Sequence, residues 1–132
     1  MKILVDVNVF EDVLRQRQGW EASLAVLNCV RNGQATGYVS ALTPPILYFF
    51  RRRTRGEKTA RQAVQRILQD CTVVPLTGEA IEQAYTATLP DFEDALQFEI
   101  TEVCCRRLKV DRQVQHPAVV AIIKAARANI FS

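Results

Sequence analysis

Two stretches of the chain hold the residues that could do chemistry. One is Asp6, directly after the apolar run Ile3-Leu4-Val5, with Asn8 two positions later. The other is Asp91-Phe92-Glu93-Asp94. Carboxylates brought together repel one another, so a cluster of them implies a bound cation or raised pKa values. Hard cations such as Mg²⁺ and Mn²⁺ take one or two carboxylates and fill the remaining positions with water and phosphate oxygens. The chemistry open to such a cluster is metal-assisted attack at a phosphate.

That chemistry requires elements that carry the two stretches to one place. Lys2 to Val5 reads as a buried central strand, short, apolar and rich in β-branched residues. It ends on Asp6, and ligands of open α/β sheets bind outside the carboxyl ends of strands. A second reading makes Asp6 the cap of the next helix, starting near Asn8. Asp91-x-x-Asp94 ahead of Ala95-Leu96 reads as a helix start, with Asp91 at N-cap and Asp94 at N3. Capping alone accounts for those two positions. It is also compatible with function, because a helix N-terminus near Asp6 tolerates local negative charge.

Between these stretches the chain alternates strands and helix pairs. Val9 to Arg15 is expected to be a short helix with Glu11 and Asp12 in its first turn. Trp20 to Arg31 is a helix closed by Asn32-Gly33. Gly37 to Ser40 is a second strand that delivers Ser40 and Thr43 to the same edge as Asp6. Thr43 can cap the next helix, with Pro44 and Pro45 in its first turn, and Ile46, Leu47, Phe49 and Phe50 are expected to bury. Glu57 to Asp70 places Ala60, Ala63, Val64, Ile67 and Leu68 on one face. Cys71 to Pro75 is a third strand. Thr77 caps a further helix, with Ile81, Ala84 and Tyr85 expected inward. Leu108 to Val110 is a candidate fourth strand, and Val119 to Ala128 a last helix. The order β-α-α-β-α-α-β-α-α predicts a parallel sheet with helices on both faces.

Charge is sorted along the sequence. Residues 51–66 hold seven basic side chains and one acid, and residues 103–132 six and one. The acids gather at the end of strand 1 and around residues 91–102. That pattern suits a polyanion lying over basic rims with its scissile phosphate at an acidic centre. The plain alternative is a set of solvated helix faces, favoured for Arg61 and Arg66.

A chain of 132 residues is one domain by length, 1–132. Hydrophobic content of 48% beside 23% charged residues fits a globular protein, with no apolar run near the roughly 20 residues of a membrane span. Asp6, Glu11 and Asp12 break any signal-peptide pattern, so the cytoplasm is the expected compartment. Cys29, Cys71, Cys104 and Cys105 lack C-x-x-C spacing, and His116 is the single histidine. A structural zinc site is disfavoured on those grounds, and buried free thiols are expected.

The phrases Lys2-Ile-Leu-Val-Asp-Val-Asn-Val-Phe10, Ser40-Ala-Leu-Thr43 and Asp91-Phe-Glu-Asp-Ala-Leu-Gln97, in this order and spacing, resemble PIN-domain proteins. The resemblance covers roughly residues 1–100. It implies a three-layer α/β/α sandwich and a Mg²⁺- or Mn²⁺-dependent ribonuclease, often the VapC-type toxin of a toxin–antitoxin pair. Asp6, Asp94 and Asp91 would then be the metal-binding and catalytic residues. Asn8, Glu93 and Thr43 would orient them, and Arg51, Arg52, Arg53 and Arg55 would hold RNA backbone. The implied partners are RNA and a cognate antitoxin. An alternative is a catalytically impaired scaffold that binds RNA or a protein. Apart from the resemblance, the helix expected over Val119 to Ala128 is apolar nearly all round and must be buried, in a homodimer contact or within its own domain. Two features depart from the family. Its usual acid on the helix after strand 2 is absent, since no acid stands between Ala22 and Gly56. Residues 103–132 are atypical, with Asp111-Arg-Gln-Val-Gln-His-Pro117 where the fourth acid is expected; Asp111 is the candidate substitute.

Overall fold

Among the described residues four short strands, Lys2–Val5 (β1), Thr36–Ser40 (β2), Cys71–Val74 (β3) and Arg112–Val114 (β4), pair in the order β3-β2-β1-β4, all parallel. The computed structural model describes residues 2–87, positions 92, 95, 96 and 99, and residues 112–114. Among these residues five helices stand between the strands: Val7–Arg15 (α1), Trp20–Arg31 (α2), Thr43–Arg55 (α3), Glu57–Asp70 (α4) and Gly78–Thr86 (α5). Phe92, Ala95, Leu96 and Glu99 are helical as well.

Strand side chains alternate between faces, and both faces of β1 are covered. Ile3 and Val5 join Val26, Cys29, Val30, Leu47 and Ile67 in one cluster, supplied by α2, α3 and α4. Leu4 points the other way and joins Val74, Ala80, Ala84, Ala95 and Leu96. The exposures of 1%, 0% and 0% for Ile3, Leu4 and Val5 make β1 the buried centre of a three-layer α/β/α sandwich. The register is Ile3 opposite Gly37 opposite Cys71, which keeps each cluster on its own face. Gly37 is required by packing. A Cβ there would lie 2.7 Å from Val30 Cγ1 and 3.1 Å from Cys71 Sγ, so α2 settles on the sheet only over a bare backbone.

Several local expectations change. Helix α1 begins at Val7, two residues early, so Glu11 and Asp12 fall in its second turn and Asp12 is buried. Leu42 precedes α3 as its cap residue and Thr43 is its first helical residue, although Pro44 and Pro45 do occupy the first turn. On α3 the buried row is Thr43 and Leu47, one turn apart. Phe49, two residues further round, is 61% exposed and meets the Tyr48 ring edge-on at 5.9 Å. On α5 the small residues Ala80 and Ala84 bring the helix onto the sheet, which turns Ile81 and Tyr85 outward. Leu68 on α4 is also exposed.

The fourth strand is Arg112–Val114; Leu108 to Val110 and the helix expected from Val119 lie outside the described residues. Among the described residues Cys29 and Cys71 are free thiols, Cys29 buried as expected and Cys71 only partly so, while Cys104 and Cys105 fall outside. No helix among the described residues is long and apolar enough to cross a membrane.

Candidate functional site

Because all four strands are parallel, their carboxyl ends share one edge of the sheet. Asp6 stands there at the end of the central strand, 7% exposed, with extended backbone angles (φ −79°, ψ 156°). It caps α1 with the oxygen Oδ2. The Asn8 backbone N–H donates to that atom at 3.1 Å, and the Asn8 side-chain amide donates to it at 2.7 Å. The capping reading of Asp6 therefore holds, and the cap sits at the carboxyl end of the central strand. Ser40 and Thr43 reach the same edge, both buried. Ser40 Oγ accepts from the Leu42 N–H at 3.0 Å, and the Ala41 N–H donates to the Val74 carbonyl at 2.9 Å. These bonds fix the backbone where β2 and β3 end.

Asp91, Glu93 and Asp94 lie outside the described residues, as does Asp111. Their described neighbours give a bearing. Ala95 and Leu96 are buried in the same cluster as Leu4, two residues before Asp6. Among the described residues no three His, Cys, Asp or Glu side chains gather as a metal site would need.

A second layer of polar contacts, not anticipated from the sequence, lies behind Asn8. Arg17 Nη2 donates to the Asn8 carbonyl at 3.1 Å and to the Asn8 side-chain oxygen at 3.5 Å. Arg17 Nε is buried 2.9 Å from Asp12 Oδ1 without an aligned hydrogen bond, so that contact is an ion pair. Glu11 adds a longer one at 3.6 Å. Asp12 in turn accepts from Ser23 Oγ. Gln16, in the left-handed conformation at φ 51°, ends α1 and turns Arg17 back over it. No sequence pattern marked Arg17, because its partners are five to nine positions away across a turn.

The basic end of α3 is divided. Arg52, Arg53 and Arg55 are exposed, whereas Arg51 is half-buried. Burial, and then the charge of Arg55, push the Arg51 pKa down. Arg51 and Arg55 line a cleft of about 450 Å³ together with Arg15, whose guanidinium lies 4.8 Å from the centre of the Phe50 ring. Arg15 is thus a further member of the basic group. By helical rise Arg51 to Arg55 lie roughly 12–18 Å along α3 from Thr43.

A family model described as PIN domain matches residues 2–102. Among solved structures the chain is similar to VapC20 of Mycobacterium tuberculosis, a toxin that cleaves the sarcin–ricin loop. Identity is 14% and the TM-score 0.63, over 92% of this chain and 94% of that one. It is also similar to VapBC2 from Rickettsia felis, solved bound to a DNA fragment from their promoter, at 8% identity and a TM-score of 0.55 over 87% and 100% of the two chains. At these identities the likeness is one of fold. No match is found among curated proteins.

Proposed function

This chain belongs to the PIN domain family, and we propose that it is a divalent-metal-dependent endoribonuclease acting as the toxin of a toxin–antitoxin pair. The observation that carries this reading is the buried Asp6 carboxylate, held by Asn8 at the carboxyl end of the central strand. A carboxylate oxygen there suits Mg²⁺ or Mn²⁺. Asp94 and Asp91 are the residues we assign to complete the donor set, because Ala95 and Leu96 anchor that segment beside Leu4. A bound ion would supply an activated water and neutralise charge on the phosphate. Asn8 sets the Asp6 carboxylate, and we give Glu93 and Thr43 similar supporting roles. The exposed arginines of α3, with Arg15, would hold RNA backbone on either side of the cut.

The partners in this reading are RNA, a cognate antitoxin and a second copy contacting through Val119 to Ala128, all within a single domain of residues 1–132. The cytoplasm is the compartment where such a substrate is met. Cleavage of RNA with and without Mg²⁺ or Mn²⁺ tests the central claim. Wild-type protein should cut only with the ion, and Asp6→Asn should not cut. Wild-type-level cleavage by Asp6→Asn would refute it.

A second reading keeps the fold and discards catalysis. It is favoured by α3, which runs from Thr43 to Arg55 without an acid and ends in a basic cleft. Tight RNA binding with no cut in either ion would select it.

A further inference from the structure

We propose that Arg17 is a positioning residue for the Asp6 carboxylate, acting through the side chain of Asn8. The inference rests on the reading of Asp6 as a metal ligand and extends the site beyond its carboxylates.

An asparagine amide has an accepting end and a donating end, and its neighbours decide which way it faces. Asp6 Oδ2 requires the donating end, which it meets at 2.7 Å. Arg17 has only donors to offer, so the Asn8 oxygen is the end that suits it, at 3.5 Å from Nη2. Rotating the amide would set oxygen against the carboxylate and N–H against the guanidinium. Arg17 therefore reinforces, from the far side, the amide orientation that Asp6 selects. The same Nη2 holds the Asn8 carbonyl at 3.1 Å, which ties the first turn of α1 to this arrangement.

The arrangement is itself braced. Asp12 and Glu11 lie opposite the Arg17 guanidinium and offset its charge, so the arginine adds orientation near the proposed ion with little repulsion. Ser23 holds Asp12 from below. The chain of contacts runs Ser23, Asp12, Arg17, Asn8, Asp6. Its effect is to hold the carboxylate plane before any ligand arrives. Loss of such an outer partner typically weakens metal binding about 10- to 100-fold.

Mn²⁺ titration by calorimetry tests this on four proteins: wild type, Arg17→Lys, Asn8→Ala and the double variant. Arg17→Lys keeps a charge opposite Asp12 and Glu11, so the fold is retained, but one ammonium cannot reach both them and Asn8. It should bind Mn²⁺ about tenfold more weakly than wild type. The double variant should bind no more weakly than Asn8→Ala alone, because both changes break one path. Wild-type affinity in Arg17→Lys, or full additivity in the double variant, would overturn the proposal. A purely structural Arg17 would lower Tm and leave Mn²⁺ affinity in place, which also overturns it. Absence of Mn²⁺ binding by the wild type would instead sink the metal reading, and this inference with it.

Discussion

Ser23 Oγ donates to Asp12 Oδ2 across 2.9 Å, and both side chains are buried. The bond ties α2 to α1 directly behind the polar chain that ends on Asp6. It is charge-assisted, and its loss leaves a buried carboxylate short of a donor. Ser23→Ala should therefore cost about 1.5–3 kcal/mol of stability. Urea unfolding of the two proteins measures it, and a cost below about 0.5 kcal/mol would show that Asp12 is satisfied without Ser23.

Gln16 ends α1 with φ 51°, where a side chain costs roughly 1–2 kcal/mol. Its N–H still bonds the Asp12 and Val13 carbonyls, and a glycine would keep those bonds. Part of the relief is cancelled, since glycine loses more freedom on folding. Gln16→Gly should stabilise by about 0.5 kcal/mol, seen as a higher urea midpoint at unchanged slope. A lower midpoint would mean that the glutamine side chain makes a contact of its own worth more than the strain.

Changing Arg51, Arg52 and Arg53 together to Ala should weaken RNA binding whatever the sequence. Each arginine that contacts a phosphate contributes about 0.7 to the slope of log affinity against log salt for a single strand. Half-burial of Arg51 makes it the weakest contributor, so the slope should fall by roughly 1.4–2. An unchanged slope would mark the group as a solvated helix end.

Cys71 links stability to alkaline pH. Burial, and then the neighbouring Asp70 carboxylate, push its thiol up to about 12, while an unfolded thiol titrates near roughly 8.5. Between those values the native state holds a proton that the unfolded state has lost. Stability from this group is therefore complete below the lower value and falls as pH rises, by up to about 1.4 kcal/mol per unit. Comparing wild type with Cys71→Ala at pH 8 and pH 10 isolates it from other titrating groups. The wild type should lose more, and equal losses would show that the thiol is open to solvent.

The helices and the first three strands were legible in the sequence because each carries its own period. Trp20–Arg31 and Glu57–Asp70 have the expected bounds. Hydrophobic period alone does not tell which of two adjacent helical rows faces the sheet. Tyr85 and Phe49 are large and apolar, yet Ala84 and Leu47 fill the limited space beneath α5 and α3. Of the candidate site, Asp6 and Asn8 are legible because a strand end places them. Arg17 is not, because its role depends on the left-handed turn at Gln16, where no glycine signals a reversal. In the sequence Arg15 is only the last residue of a helix, and its link to the basic group needs the approach of α1 to Phe50.

The strand order β3-β2-β1-β4 has a consequence for how the chain is made. Ile3 pairs with Gly37 on one side and with Arg112 on the other, so one neighbour follows after 34 residues and the other after 109. At synthesis rates of about 5–20 residues per second, the second neighbour emerges roughly 5–20 s after β1. For that interval the innermost strand of the finished protein is an open edge, able to pair with whatever strand comes near. The segment that carries Asp6 is thus made well before the strand that covers its second edge. The sheet cannot close around its central carboxylate until β4 has left the ribosome.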